Sequence, residues 1–160
     1  MATSSFLCQL NGGCMGCCGH DFESNAKIRE AVFKNNLEFK DAEPKTEKEF
    51  IAFRDRRPNR DLRNGVCRNL IQEEGCFLCP LHPARHQGKD LRIGHCDTDY
   101  LCLSAKNFEK WGEDKKRRFL SFIHDQKLDN VDYSIKMDND SLLEAFTAAE
   151  KNTISSKGKR

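Results

Sequence analysis

The sequence predicts a small, mainly α domain with long irregular loops and little sheet. Three observations carry that prediction. Apolar residues recur at helical spacing in four separated stretches. Only three Val and seven Ile occur in 160 residues, too few β-branched side chains for a large sheet. Between the second and third helical stretches, residues 64–102 lose regular periodicity altogether.

Residues 1–23 read as loop, with Cys8, Cys14, Cys17 and Cys18 set among glycines. "SNAKIREAVFKNN" opens a helix capped by Ser24 or Asn25, with Ile28, Ala31, Val32 and Asn35 on one face. Asp41 to Lys45 is a break containing Pro44. Thr46 followed by Glu49 then forms a capping box for a helix through "EKEFIAFRDRR", which Pro58 stops. Further on, "EDKKRRFLSFIHDQKL" is amphipathic, with Phe119, Leu120, Phe122 and Ile123 on its apolar side; these residues, with Phe50 and Phe53, are expected in the core. "VDYSIKM" alternates and is expected as a short strand. "SLLEAFTAAEKN" is a last helix capped by Asp140 or Ser141, and "TISSKGKR" is expected to fray. Residues 1–103 thus form a cysteine-rich domain, and 104–160 a helical extension without a chemical motif.

Composition limits what can hold such a domain together. Leu, Ile, Val and Phe total 35 residues while 32% of the chain is charged. That apolar share is barely above the roughly 20% below which charged chains stay disordered. The hydrophobic core is therefore expected to be thin, and a ligand is expected to help close the fold. A structureless stretch as long as 64–102, with five cysteines and three of the five histidines, points the same way. Net charge is +2, which argues against a nucleic-acid or acidic-membrane partner. "MATSSFLCQLNGG" lacks the basic and apolar regions of an export signal, and no stretch approaches a membrane span, so a cytoplasmic location is expected. In a reducing compartment, nine cysteines read as metal-binding or catalytic rather than as disulfides. An odd number also cannot pair completely within the chain.

The cysteines fall in two runs, Cys8-x5-Cys14-x2-Cys17-Cys18 and Cys67-x8-Cys76-x2-Cys79 followed by Cys96-x5-Cys102. A two-residue spacer lets the chain turn so that both thiolates face one ion while backbone N–H groups point at the sulfurs. Cys14/Cys17 and Cys76/Cys79 have that spacer. The adjacent pair Cys17–Cys18 is harder to place, because consecutive side chains in extended backbone point apart. One of the two faces the core, or they reach different metals, or they bind separate irons of a larger cluster; a strained vicinal disulfide is a fourth arrangement. The adjacency and the surplus of thiols favour an iron–sulfur cluster over a lone zinc ion.

"CMGCC", a helical insert and then "GVCRNLIQEEGCFLCPLHP" resemble the YkgJ-type cysteine-cluster family, or CxxCxxCC, over about residues 8–102. The resemblance implies a small cytoplasmic domain chelating zinc or iron; some related proteins that methylate flagellin lysines carry an iron–sulfur cluster. By that resemblance Cys14, Cys17, Cys18, Cys67, Cys76 and Cys96 are the leading metal ligands. The sequence departs from the family in two places. Five residues separate Cys8 from Cys14 where the family has two, and Cys79 and Cys102 are additional thiols. Cys8, Cys79, Cys102 and His82 are therefore secondary candidates, and the extra thiols leave room for a second site.

Other features carry less. His82-x3-His86 follows Cys79 too closely for a ββα zinc finger. His82 and His86, and His20 and His95 beside the cysteines, are candidates for presenting a ring to the metal, and the latter two equally for donating to a ligand sulfur; His124 reads as structural. Arg54, Arg56, Arg57, Arg60, Arg63 and Arg68 cluster before the second run; with Asp55 and Asp61 offsetting them they read as a solvated face that also lowers thiolate pKa values. Nucleotide-binding loops and hydrolase or metalloprotease motifs are absent from the sequence. The expected function is metal binding through cysteine thiolates from both runs, by an iron–sulfur cluster or zinc that mainly organises the fold. A redox or protein-modifying enzyme, and a zinc-organised adaptor for a protein partner, are the alternatives; no small-molecule substrate is indicated.

Overall fold

The computed structural model describes residues 5–158. Residues 1–4 and 159–160, the start of the predicted first loop and the end of the predicted frayed tail, lie outside the described residues. A short 3-10 segment, Phe6–Gly12, leads into α1 (Asn25–Ala42) and α2 (Glu47–Arg54). A hairpin of β1 (Ile71–Glu73) and β2 (Cys76–Leu78) and a 3-10 turn at Pro83–Arg85 follow. The chain ends in α3 (Leu103–Lys110), α4 (Glu113–Asp125), α5 (Asn130–Asp138) and α6 (Ser141–Lys157). The domain is mainly helical, and its strands form one two-stranded antiparallel sheet with Ile71 opposite Leu78.

Helix starts follow local chemistry. The Ser24 hydroxyl accepts from the Lys27 N–H, and Thr46 and Glu49 form both halves of a capping box. Ile28, Ala31, Val32 and Asn35 are the buried residues of α1, the face read from the sequence. Several elements differ from expectation. Helix α1 continues to Ala42, and α2 ends at Arg54, before Pro58. Helix α3 was not foreseen, and Trp111, single and featureless in the sequence, caps its end and packs edge-on against Phe119 at 5.3 Å. The predicted frayed tail is helical through Lys157. The turn at Glu74 and Gly75 takes positive φ at both positions, as tight hairpins require, but its strands are too short to show periodicity.

"VDYSIKM" is helical, not a strand. Val131 is buried in a cluster with Met15, Ile28, Val32, Val66 and Phe77, and Ile135 packs against that cluster. Tyr133 and Met137 are buried in a second cluster with Leu7, Phe108, Phe119, Ile123 and Phe146. Helix α5 thus lies between two cores, with one i,i+4 pair facing each. Two residues turn a helix by about 200°, so apolar pairs on opposite faces read along the sequence as alternation.

That helix also fixes the first cysteine loop. The Tyr133 hydroxyl donates to the Leu7 carbonyl at 2.6 Å, and the Met15 N–H donates to the Ser134 hydroxyl at 2.9 Å. Both hydrophobic clusters draw residues from each side of the expected boundary at 103/104. Among the described residues no helix is long and apolar enough to cross a membrane.

Candidate metal centre

All nine cysteines are free thiols, so the vicinal pair is not a disulfide. The two cysteine runs are joined by backbone. The Cys67 N–H donates to the Cys18 carbonyl at 2.8 Å, the His20 N–H donates to the Gly65 carbonyl at 3.0 Å, and Gly19 and Val66 form an antiparallel bridge. Glycine is required at that junction. A Cβ on Gly19 would meet the Gly65 carbonyl oxygen, and Gly65 holds a φ of +86° with backbone atoms at 2.7 Å from where its Cβ would stand. Asn35 clamps the same loop to α1, donating from Nδ2 to the carbonyls of Cys67 and Leu70, each at 2.9 Å.

Two sulfurs share a local geometry. The Gly16 N–H faces Cys14 Sγ at 3.4 Å, and the Asn69 N–H faces Cys67 Sγ at 3.5 Å. In both cases the amide lies two residues beyond its cysteine. Backbone amides also favour the thiolates of Cys79 and Cys102, from Leu81 for the first and from Ala105 and Ser104 for the second. Such turns aim a positive N–H dipole at sulfur, and that dipole favours thiolate over thiol. For Cys14 this is the arrangement that its two-residue spacer predicts.

Burial opposes those dipoles. It pushes the thiols of Cys14 and Cys79 up to about 12 and raises Cys8, Cys67, Cys96 and Cys102 as well. The exposed Cys17 is the exception, drawn down to about 7 by a hydrogen bond from Cys18 and helped by the charge of Arg92. Cys18, as the donor of that bond and buried, is held well above the ordinary thiol value.

Charge coupling sorts the thiols. Cys8, Cys14 and Cys102 form one neighbourhood: Cys14 acts under the charges of Cys17, Cys8 and Cys102, and Cys8 under those of Cys17 and Cys102. Cys18, Cys67, Cys79 and Cys96 form another: Cys79 acts under Cys67 and Cys96, and Cys18 under Cys17, Cys67 and Cys79. Cys17 touches both groups electrostatically. Cys8 and Cys14 share a spacing with Cys96 and Cys102, but the first pair lies in one neighbourhood and the second is divided between two.

Cys76 stands apart. It begins β2 and is exposed, while its neighbour Phe77 is buried among Met15, Val66 and Leu70. Side chains alternate along a strand, so Cys76 faces away from the side that carries Phe77.

Four of the six arginines in the run are scaffold, while Arg57 and Arg60 are exposed. Arg56 donates to Glu38, to Asn69 Oδ1 at 2.7 Å and to the carbonyls of Phe53 and Arg68. Arg63 also pairs with Glu38, Arg68 with Asp61, and Arg54 with Asp55 and the Leu91 carbonyl. These four guanidinium groups are only 15–20% exposed, so they do not form the solvated face expected of them. The charge of Arg56 opposes, without overcoming, the burial that raises the Cys67 thiol. The sequence reading missed Arg92. It forms a bidentate pair with Asp90, both bonds at 2.9 Å, and its charge acts on Cys17, Cys79 and Cys96. A basic residue four positions before Cys96 was the available signal, and the adjacent Asp90 disguised it as balanced charge.

The histidines have other partners. His82 Nδ1 accepts from the Ala84 N–H, and His86 Nε2 bonds the Pro80 carbonyl at 2.7 Å. His95 Nε2 accepts from Asn69 Nδ2 at 3.0 Å, and the backbone of that same Asn69 faces Cys67. His95 therefore acts on Cys67 through Asn69 rather than by donating to its sulfur. His20 pairs with Asp21 at the surface, and His124, expected to be structural, is exposed beside Asp125.

Among the described residues no three Cys, His, Asp or Glu side chains are arranged as they would be around a metal ion. The donors suit zinc or iron–sulfur chemistry: soft sulfurs, two of them with an amide turned toward them. Comparisons with protein-family models, curated proteins and solved structures return no match.

Proposed function

We propose that this chain is a metal-binding protein whose cysteine thiolates, drawn from both runs, hold iron–sulfur or zinc. The observation that supports it most is one turn, with an amide two residues downstream facing sulfur, found once in each cysteine run, at Cys14 and at Cys67. Both segments adopt the turn that favours thiolate ligands, although burial alone would keep each sulfur protonated. Bound metal would supply the missing counter-charge and cross-link the first loop, the hairpin region and the start of α3. The resemblance of the cysteine pattern to the YkgJ-type family agrees with this role, and a reducing, cytoplasmic setting suits nine unpaired thiols.

Anaerobic purification followed by metal and acid-labile sulfide analysis tests the proposal. Brown protein with sulfide identifies a cluster, and colourless protein with stoichiometric zinc identifies zinc. A folded chain with no tightly held metal under either condition would overturn it.

A further inference from the structure

We infer that eight of the nine thiols divide into two separate tetrathiolate centres, with the adjacent cysteines Cys17 and Cys18 contributing one sulfur to each. The first centre takes Cys8, Cys14, Cys17 and Cys102; the second takes Cys18, Cys67, Cys79 and Cys96. This rests on the metal-binding proposal and adds to it the number of centres and the ligands of each.

Geometry carries the division. Cys14 and Cys102 pack against the hydrophobic cluster of α4, α5 and α6, whereas Cys18 packs against the cluster of α1 and the hairpin. Helix α5 separates those clusters. The Cys14 N–H donates to the Cys8 carbonyl at 2.8 Å, which keeps that pair on the first side, while the Cys67 N–H donates to the Cys18 carbonyl at 2.8 Å and keeps the second pair together. Each set contains one amide-to-sulfur turn, at Cys14 in the first and at Cys67 in the second. The Leu91 N–H donates to the Leu81 carbonyl at 3.2 Å and the Cys96 N–H to the Arg92 carbonyl at 3.3 Å, which ties the Cys79 loop to the Cys96 loop.

The adjacent cysteines sit where the sets meet. The Cys18 N–H closes a turn onto the Met15 carbonyl at 2.8 Å. Cys17 completes the two-residue spacer from Cys14, and Cys18 lies beside Cys67. Their side chains hydrogen-bond to each other at that seam, and one sulfur goes to each side of it. Cys76, exposed on the opposite side of β2 from Phe77, is left out of both.

Cadmium is the probe, because it takes tetrathiolate ligation like zinc and can be observed directly. The full chain, stripped anaerobically, is titrated with isotopically enriched Cd2+ alone and followed by sulfur-to-metal charge-transfer absorption and cadmium NMR. Two equivalents are expected, giving two tetrathiolate resonances without cadmium–cadmium coupling. Cys17→Ser should remove or shift one resonance and Cys18→Ser the other, each leaving its counterpart intact. One equivalent, resonances coupled through a shared sulfur, or loss of the same resonance in both variants would overturn the division while leaving metal binding standing. Failure to retain cadmium at all would overturn the metal-binding proposal itself. Stoichiometry and coupling are read on the unsubstituted chain, so a variant that misfolds does not decide the outcome.

Discussion

The two thiol groups differ in what surrounds them. The second, around Cys67, Cys79 and Cys96, has two guanidinium groups acting on it, Arg56 on Cys67 and Arg92 on Cys79 and Cys96, against one carboxylate, Asp90 on Cys96. The first, around Cys8, Cys14 and Cys102, adjoins the hydroxyl-bearing, buried Tyr133 and the carboxylates Asp138 and Asp140, whose charges act on Cys17 and Cys102 respectively. A divalent ion with four thiolates carries a net charge of −2. Nearby arginines stabilise that charge and nearby carboxylates oppose it. The comparison teaches that equal donor sets need not bind equally. The second group should retain metal longer, and the first should depend more on packing against the helical cluster.

The largest effect is expected from removing metal. Structural zinc contributes on the order of 10–16 kcal/mol in small thiolate domains, more than the net stability of an ordinary domain. Exhaustive chelation should lower the melting temperature by tens of degrees and broaden the transition, as followed by circular dichroism. Stepwise chelation sharpens the comparison: the first group should empty before the second. Simultaneous release would remove the electrostatic distinction.

Acid acts through the same sulfurs. Protons and metal compete for thiolate, so metal affinity should fall as pH falls and each ion bound should release protons. Cys14 and Cys79, at about 12 in the fold, hold their protons throughout the neutral range, whereas Cys17, at about 7, holds one only near and below neutrality. Apparent cadmium affinity should therefore keep rising above pH 8, and more steeply below pH 7. A flat profile from pH 6 to 9 would contradict ligation by these thiols.

Arg92→Met tests the cationic side alone. Outer residues that orient or neutralise ligands are worth about 10–100-fold in metal affinity. The second group, where Arg92 acts on two thiols, should weaken by about that factor in a competition titration, and the first, which Arg92 reaches through Cys17, by less.

Two hydrogen-bond deletions form a smaller matched pair. Asn35→Ala leaves the carbonyls of Cys67 and Leu70 without the amide, and Tyr133→Phe removes the hydroxyl that donates to the Leu7 carbonyl. Each should cost about 1–3 kcal/mol by urea unfolding, with Asn35→Ala loosening the second group and Tyr133→Phe the first. Cys76→Ser is expected to have the smallest effect, leaving metal content unchanged.

What the sequence revealed and what it concealed follow from range. Ser24, Thr46 and Glu49 act within one helical turn, so their caps were legible, as was the buried face of α1. Helix α5 was misread because its surroundings, not its own residues, decide that both sides are buried. Residues 64–102 gave no periodicity because they are held by positive-φ turns at Asn64, Gly65, Glu74 and Gly75 and by arginine bonds to carbonyl oxygens. The cysteine spacing exposed thiolate chemistry and the turn at Cys14. It could not show that Cys102 lies with Cys8 and Cys14, because that neighbourhood forms only once α3 and α5 pack against the first loop.

Differential alkylation of the native and the stripped chain, read cysteine by cysteine by mass spectrometry, tests thiolate ligation most directly. With metal bound, eight cysteines should be protected and Cys76 should react; after stripping, Cys17 should become the fastest of the newly reactive thiols. Rapid modification of Cys17 and Cys18 while metal remains bound, or protection of Cys76, would contradict the account.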